Sequence, residues 1–248
     1  MKYLLTLLLF MGTFLSAQAQ MDRTVQNRPY TDLRPLHFGI VIGTHLQDIE
    51  MTNVGRQTMT ADDGTTYESL VTADEDRWDP GLNVGVLAEA RLNENFQFRI
   101  APAIYFGNRH LTFRDFSHRD NEGNPTEQRQ DLKTVYLSSA FDLIFAGPRN
   151  GNHRPYLMVG LNPMLNLSRH RDDYIELKKS DLYFEIGAGC DFYLEFFKLR
   201  PELKFLYSLS DSYNASHAKD LKDKSMLPFT QSVNKGHTKM IVLSFYFE

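Results

Sequence analysis

The chain has 248 residues, a formal net charge of −4 and one cysteine, Cys190. A lone cysteine excludes an internal disulfide framework and a cysteine-based zinc cluster, and the mild acidity argues against a nucleic-acid partner. The length suits one large domain, and no stretch after the N-terminus stays apolar for 18 residues, so no membrane-spanning helix is expected.

Lys2 supplies a positive start, Tyr3 to Leu15 an apolar run, and Ala17-Gln18-Ala19 a small-x-small cleavage site. Residues 1–19 therefore read as a removed signal peptide, with the mature chain expected from near Gln20. A membrane anchor is the alternative, but no stop-transfer pattern follows. No cysteine follows either, which excludes a bacterial lipoprotein. Residues 20–35 carry Pro29 and Pro35, which deny them regular helix and strand structure. They read as a periplasmic segment ahead of a barrel over 36–248.

From there the dominant period is two. Candidate strands fall at 36–47, 81–92, 95–107, 132–145, 154–166, 181–193, 197–209 and 238–248. Each has 11 to 14 residues, the length of a tilted membrane strand with its ends. Leu82, Val84, Val86, Ala88 and Ala90 share one face, against Asn83, Gly85, Glu89 and Arg91. Phe197, Leu199, Leu203, Phe205 and Leu209 oppose Lys198, Arg200, Glu202 and Lys204. A Lys or Arg on a lipid-facing position at mid-bilayer costs ~2–4 kcal/mol. The apolar rows are therefore expected to face lipid and the charged rows the lumen. The fold class is all-β: an eight-stranded antiparallel transmembrane β-barrel of the outer-membrane type, placing the protein in the bacterial outer membrane among its lipids.

Connections 93–94, 146–153 and 194–196 are short, whereas 48–80, 108–131, 167–180 and 210–237 are long and polar. That alternation puts both termini at a periplasmic end and the long loops outside. Phe96, Phe145, Tyr156, Phe192, Tyr193, Phe196, Phe197, Tyr246 and Phe247 gather near the periplasmic strand ends, as an aromatic girdle would. A soluble lipocalin-like barrel, with its apolar face inward, is the rival fold. Pro102 and Pro201 fall mid-strand, where a ladder donor is lost, so bulges or bends are expected there.

Glu89, Arg91, Arg99, Asp142, Glu185, Asp191, Arg200, Glu202 and Lys204 form the expected lumen network. An eight-stranded barrel is just wide enough for side chains to fill, and buried charges must be paired. The network therefore reads as a structural plug, not an ion path. His45, His110, His118, His170 and His217 lie in or near the long loops, where a lipid-modifying enzyme would carry its Ser/His/acid set. No G-x-S-x-G elbow or H-E-x-x-H motif accompanies them, and no catalytic residue is assigned. Asp62, Asp63, Asp74, Glu75, Asp76 and Asp79 lack calcium-loop spacing, so no metal, cofactor or small-molecule substrate is assigned. Cys190 lies on the lipid row.

The run Asn27-Arg28-Pro29-Tyr30-Thr31-Asp32-Leu33-Arg34-Pro35-Leu36-His37-Phe38-Gly39, with Thr44-His45 and the long first loop, resembles the PorT family. PorT proteins are outer-membrane barrels of Bacteroidetes associated with type IX secretion. One departure from general outer-membrane barrels is that Glu248 follows Phe247, displacing the terminal aromatic by one residue. The resemblance implies a non-enzymatic accessory role in protein secretion, exercised through other secretion-system proteins. Arg28, Tyr30 and Arg34 are the candidate partner-binding residues, of types enriched at hot spots. The alternatives are a surface-binding, adhesion or structural barrel, and third a lipid-modifying enzyme.

Overall fold

The computed structural model describes residues 25–60, 64–168, 173–221 and 223–248. The expected signal peptide, Asp62, Asp63 and His170 lie outside the described residues. The strands are β1 (Leu36–Asn53), β2 (Arg56–Thr60), β3 (Thr66–Glu75), β4 (Asp79–Arg91), β5 (Phe96–Arg119), β6 (Pro125–Ala146), β7 (His153–Asn166), β8 (Ser180–Tyr193), β9 (Lys198–Ser208) and β10 (Val233–Phe247). Eight of them close a ring in the order β1-β4-β5-β6-β7-β8-β9-β10 and back to β1, all antiparallel. Closure leaves no unpaired strand within the ring, as a barrel in lipid requires.

Alternation along each strand decides which face is which. Phe38, Ile40, Ile42, Leu82, Val84, Val86, Leu157, Ile186 and Leu203 are exposed on the outside, while Arg99, Glu89, Asp142, Glu185, Arg200 and Lys204 are buried inside. The charged rows thus face the lumen, which overturns the soluble-barrel alternative. On β1 the outward apolar row runs from Leu36 to Leu46. Those ten steps at ~3.3 Å, tilted by roughly 40°, rise about 25 Å, the height of a lipid-facing band. Beyond it the outward residues become Asp48 and Glu50, and Glu50 pairs with Lys239 across the β1–β10 seam.

Neither proline produces a bulge. Gly85↔Ala103 and Ala88↔Ile100 hold one register, with only the pairings beside Pro102 missing between them. Gly189↔Glu202 and Phe192↔Leu199 likewise bracket Pro201. On the opposite side Pro102 stays paired with Ser139 and Pro201 with Phe245. Each residue of an antiparallel strand directs its peptide groups to one neighbour only. A proline therefore interrupts one ladder and leaves the other whole.

The long connections are largely structured, which corrects their reading as loops. β1 continues to Asn53, β2 and β3 form a hairpin, and β5 and β6 run on as a ribbon to the turn at 120–124. β3 joins this ribbon through Val71↔Asp115 to Glu75↔Leu111. The connection after β9 carries short helices, His217–Asp220 and Leu227–Thr230. Inside this head Ile49, Val71, Leu111, Phe113, Leu132, Ile175, Leu177, Tyr213 and Val233 form an apolar core above the barrel.

Candidate functional site

The lumen is filled in layers, beginning at the short-turn end. The Arg200 guanidinium spans Glu89 and Asp191 and lies 3.4 Å from Glu248. Lys198 Nζ is 2.5 Å from Glu248, and His37 lies 3.4 Å from the same carboxylate. One step up, Arg99 donates to Asp142 at 2.9 Å and to Glu202 at 2.7 Å. The hydroxyls of Tyr156 and Tyr246 donate to Glu202 at 2.7 and 3.0 Å. Lys204 reaches Glu185 at 3.4 Å, and Asn162 donates to Glu185 at 3.0 Å. Gly189 makes room for Tyr156, since a Cβ there would stand 2.3 Å from its hydroxyl.

Above this ionic layer lie Tyr105, Tyr136, Met164, Tyr183, Leu206, Met240 and Val242. Arg109 crosses the next level, donating to Gln47 at 3.3 Å and Thr238 at 3.2 Å. The head core closes the top, where Tyr174 packs tilted against Phe113 at 5.3 Å and Phe229 meets it edge-on at 5.9 Å.

Of the nine expected network residues, eight sit in this stack. Arg91 does not: it is half-buried at the strand end and donates to the Asn93 carbonyl. The last inward position of a strand opens onto the turn, where a long side chain reaches water. Lys198, Glu248 and His37 join the expected network, and three of the expected girdle aromatics lie elsewhere. Tyr156, Tyr193 and Tyr246 are buried inside and are not part of a girdle. The period-two signal already placed Lys198 on the inward row and offers the same answer for these three. Phe96, Phe145, Phe192, Phe196 and Phe197 do face outward, and Cys190 is a free thiol on that outward row.

The histidines of the head pair with acids at separate places. His110 contacts Asp79 at 2.8 Å, His118 contacts Asp115 at 2.8 Å, and His217 lies 3.4 Å from Glu176 with its other ring nitrogen 2.7 Å from the Asp173 backbone carbonyl. His45 is buried in the lumen against Tyr105. Asp76 is taken by Arg114 and Asp79 by Arg77, so these acids do not converge. Glu75 is turned inward, 6% exposed, with neither carboxylate oxygen hydrogen-bonded. Burial pushes its carboxyl up to about 8, against the attraction of Arg109.

The short-turn end carries a strap. Residues 25–34 lie across it, with a single 3₁₀ turn at Thr31–Leu33 as their only regular structure. Asn27 N–H donates to Asn152 at 2.8 Å, and Arg28 donates to the Glu248 carbonyl at 2.9 Å. Tyr193 hydroxyl donates to Asp32 at 2.7 Å. Arg149 stacks over the Tyr193 ring at 3.6 Å and donates to the Arg28 carbonyl. Arg28 thus also anchors the strap within the chain. Tyr30, Leu33 and Arg34 stay exposed.

A family model described as outer membrane protein beta-barrel domain matches residues 17–214. No curated protein matches the sequence. Among solved structures, the chain is similar to the outer membrane protein OprG of Pseudomonas aeruginosa, with TM-score 0.46 and 13% identity over 85% of this chain and 93% of that one. It is also similar to Neisserial surface protein A, with TM-score 0.40 and 10% identity over 86% and 98% of the two chains. A third is Ail of Yersinia pestis, solved with the heparin analogue sucrose octasulfate, at TM-score 0.36 and 12% identity over 85% and 96%. With the family match covering most of the chain, the protein is a barrel of the bacterial outer membrane and belongs to the outer membrane protein beta-barrel domain family.

Proposed function

We propose that the protein is a non-enzymatic accessory component of protein secretion, of the type IX kind its PorT-like segment implies, and that it acts through protein partners. A lumen packed with paired charges, tyrosines and the head core leaves no route for cargo. The working surfaces are then the two ends. The carrying observation is that the PorT-like run is held in place at the short-turn end by Asn27, Arg28 and Asp32, while Tyr30, Leu33 and Arg34 face out. In this reading that end lies in the periplasm, and the strap presents a pre-ordered patch to another secretion component, so little ordering entropy is lost on docking. Surface binding or adhesion is the second reading. It is favoured by the packed core of the head, which joins β1, β3, β5 and β6 into one platform, with β2 paired to β3.

The test is a Tyr30→Ala/Arg34→Glu double variant, which leaves the strap's anchors untouched. It should assemble normally yet lose secretion of the cell's exported proteins. Normal secretion from that strain would reduce the strap to a plug, and loss of attachment instead would favour the second reading.

A further inference from the structure

β6 meets β7 only from Tyr136 onward, opposite Asn166. Further into the head, Thr126 to Thr134 pair with β5 on one side, and among the described residues no strand lies on the other. Val135 fixes where the peptide groups point. Its N–H donates to Ser168 Oγ and its carbonyl accepts from Leu167 N–H, both on the side away from β5. Directions alternate along an antiparallel strand, and the β5 register is unbroken from Phe145 to Thr126. The peptide groups of Arg129 and Asp131 therefore also point away from β5.

That edge borders a groove of about 650 Å³. Gln128, Arg129, Gln130 and Asp131 are four consecutive residues of its wall, so the groove runs along the strand. Tyr174, Met226 and Phe229 give it an apolar side. The edge already makes one strand-like contact of its own. The Gln130 side chain donates to the Ile175 carbonyl at 3.0 Å and accepts from the Ile175 N–H at 3.1 Å.

The occupant follows from charge and geometry. Arg129 and Asp131 side chains are 79% and 67% exposed. Arg129 lies 3.6 Å from Glu127, and Asp131 lies 3.5 Å from the His110 ring. Residues directly opposite across a ladder stand roughly 5 Å apart. An added antiparallel strand is best matched with a base opposite Asp131 and an acid opposite Arg129. Its intervening residue points to Tyr174, Met226 and Phe229 and is best apolar. A second barrel in the same bilayer does not fit. Rotation about the membrane normal keeps both copies of β6 rising the same way, so strands tilted by roughly 40° would cross steeply. We propose that this edge takes up an extended segment of another polypeptide by strand addition, reading basic–apolar–acidic in chain order. The edge charges refuse apolar strands, which guards against aggregation, and admit the complementary pattern.

The probe is a labelled nine-residue peptide, Lys-Val-Glu flanked by threonines, followed by fluorescence anisotropy against the full-length barrel in detergent micelles. Its comparators are the Glu-Val-Lys peptide and a backbone N-methylated copy. Lys-Val-Glu should bind saturably and both comparators should bind at least about tenfold more weakly, as expected when two cross-strand pairs become repulsive or ladder donors are lost. An Arg129→Glu/Asp131→Arg variant should reverse the preference between the two unmethylated peptides. Arg129→Pro removes an N–H that β5 does not use and should weaken both. Heat-modifiable migration confirms that each variant remains a barrel. No saturable binding up to about 1 mM, equal affinity for all three peptides, or indifference to both variants overturns the proposal. Concentration-dependent dimers that the peptide does not displace would also overturn it, in favour of a second copy as occupant.

Discussion

At the residue scale, the charges of the ionic layer are tolerated because they sit in pairs. Arg99 and Arg200 are both 0% exposed, and each holds at least two carboxylates. Removing one partner of a buried pair leaves an uncompensated charge, at a cost of about 3–5 kcal/mol. Arg200→Ala strands Glu89 and leaves Asp191 only Lys198 at 3.9 Å, so urea unfolding in micelles should show a loss of that size. A change under about 1 kcal/mol would mean the carboxylates find water or protons instead. Glu75 behaves oppositely. Its carboxyl is raised from 4.5 to about 8 by burial, with Asp48 and Asp79 adding repulsion and Arg109 opposing. Between those values the folded state holds a proton that the unfolded chain has lost. Stability should therefore fall as pH rises from about 4.5 to about 8. Glu75→Gln should flatten that slope and stabilise the protein at pH 8. An unchanged slope in the variant would assign the pH dependence elsewhere.

At the element scale, the inward and outward rows were legible in the sequence because side chains alternate with period two whatever surrounds them. The strand ends in the head were not. Residues 48–53 and 108–119 are polar on their outward face, so they read as loop, yet Ile49, Met51, Leu111 and Phe113 on the other face pack into the head core. The strap was legible as a motif but not as a contact. Arg149 sits in the β6–β7 turn, 121 positions from the Arg28 carbonyl it holds. Arg149→Ala removes the cation stacked on Tyr193 together with its bonds to the Asn27 and Arg28 carbonyls of the strap. Chymotrypsin should then cut after Tyr30 or Leu33, both exposed on the strap, several times faster in the folded protein, read by mass spectrometry while the barrel band stays intact. Unaltered cleavage would show that Asn27, Arg28 and Asp32 hold the strap by themselves.

At the scale of the whole molecule, the layered lumen makes a prediction about transport. Purified protein in planar bilayers should give no steady ohmic current, because the ionic layer, the tyrosine layer and the head core lie in series along the axis. A stable conductance would require one of the layers to part. Orientation is tested in a Cys190→Ala background. Cysteine at Asn121, in the β5–β6 turn, should react with an impermeant reagent on intact cells, and cysteine at Asn150 only after the outer membrane is opened. The reverse pattern would invert the barrel.

Sequence alone determined the strand periodicity, the closed all-β class, eight lumen charges and the alternation of short and long connections. These are local consequences of residue type and spacing, and lipid adds a single rule that charge must turn inward. Tertiary structure decided the rest. It paired Arg200 with Glu89 across 111 positions of sequence and drew Glu248 and His37 into the same layer. It turned three girdle candidates into lumen tyrosines and raised the head on an apolar core of its own. It also laid the strap across one end and left a groove along β6 at the other. Such features depend on which strands become neighbours when the ring closes, and periodicity within one strand carries no information about the facing strand.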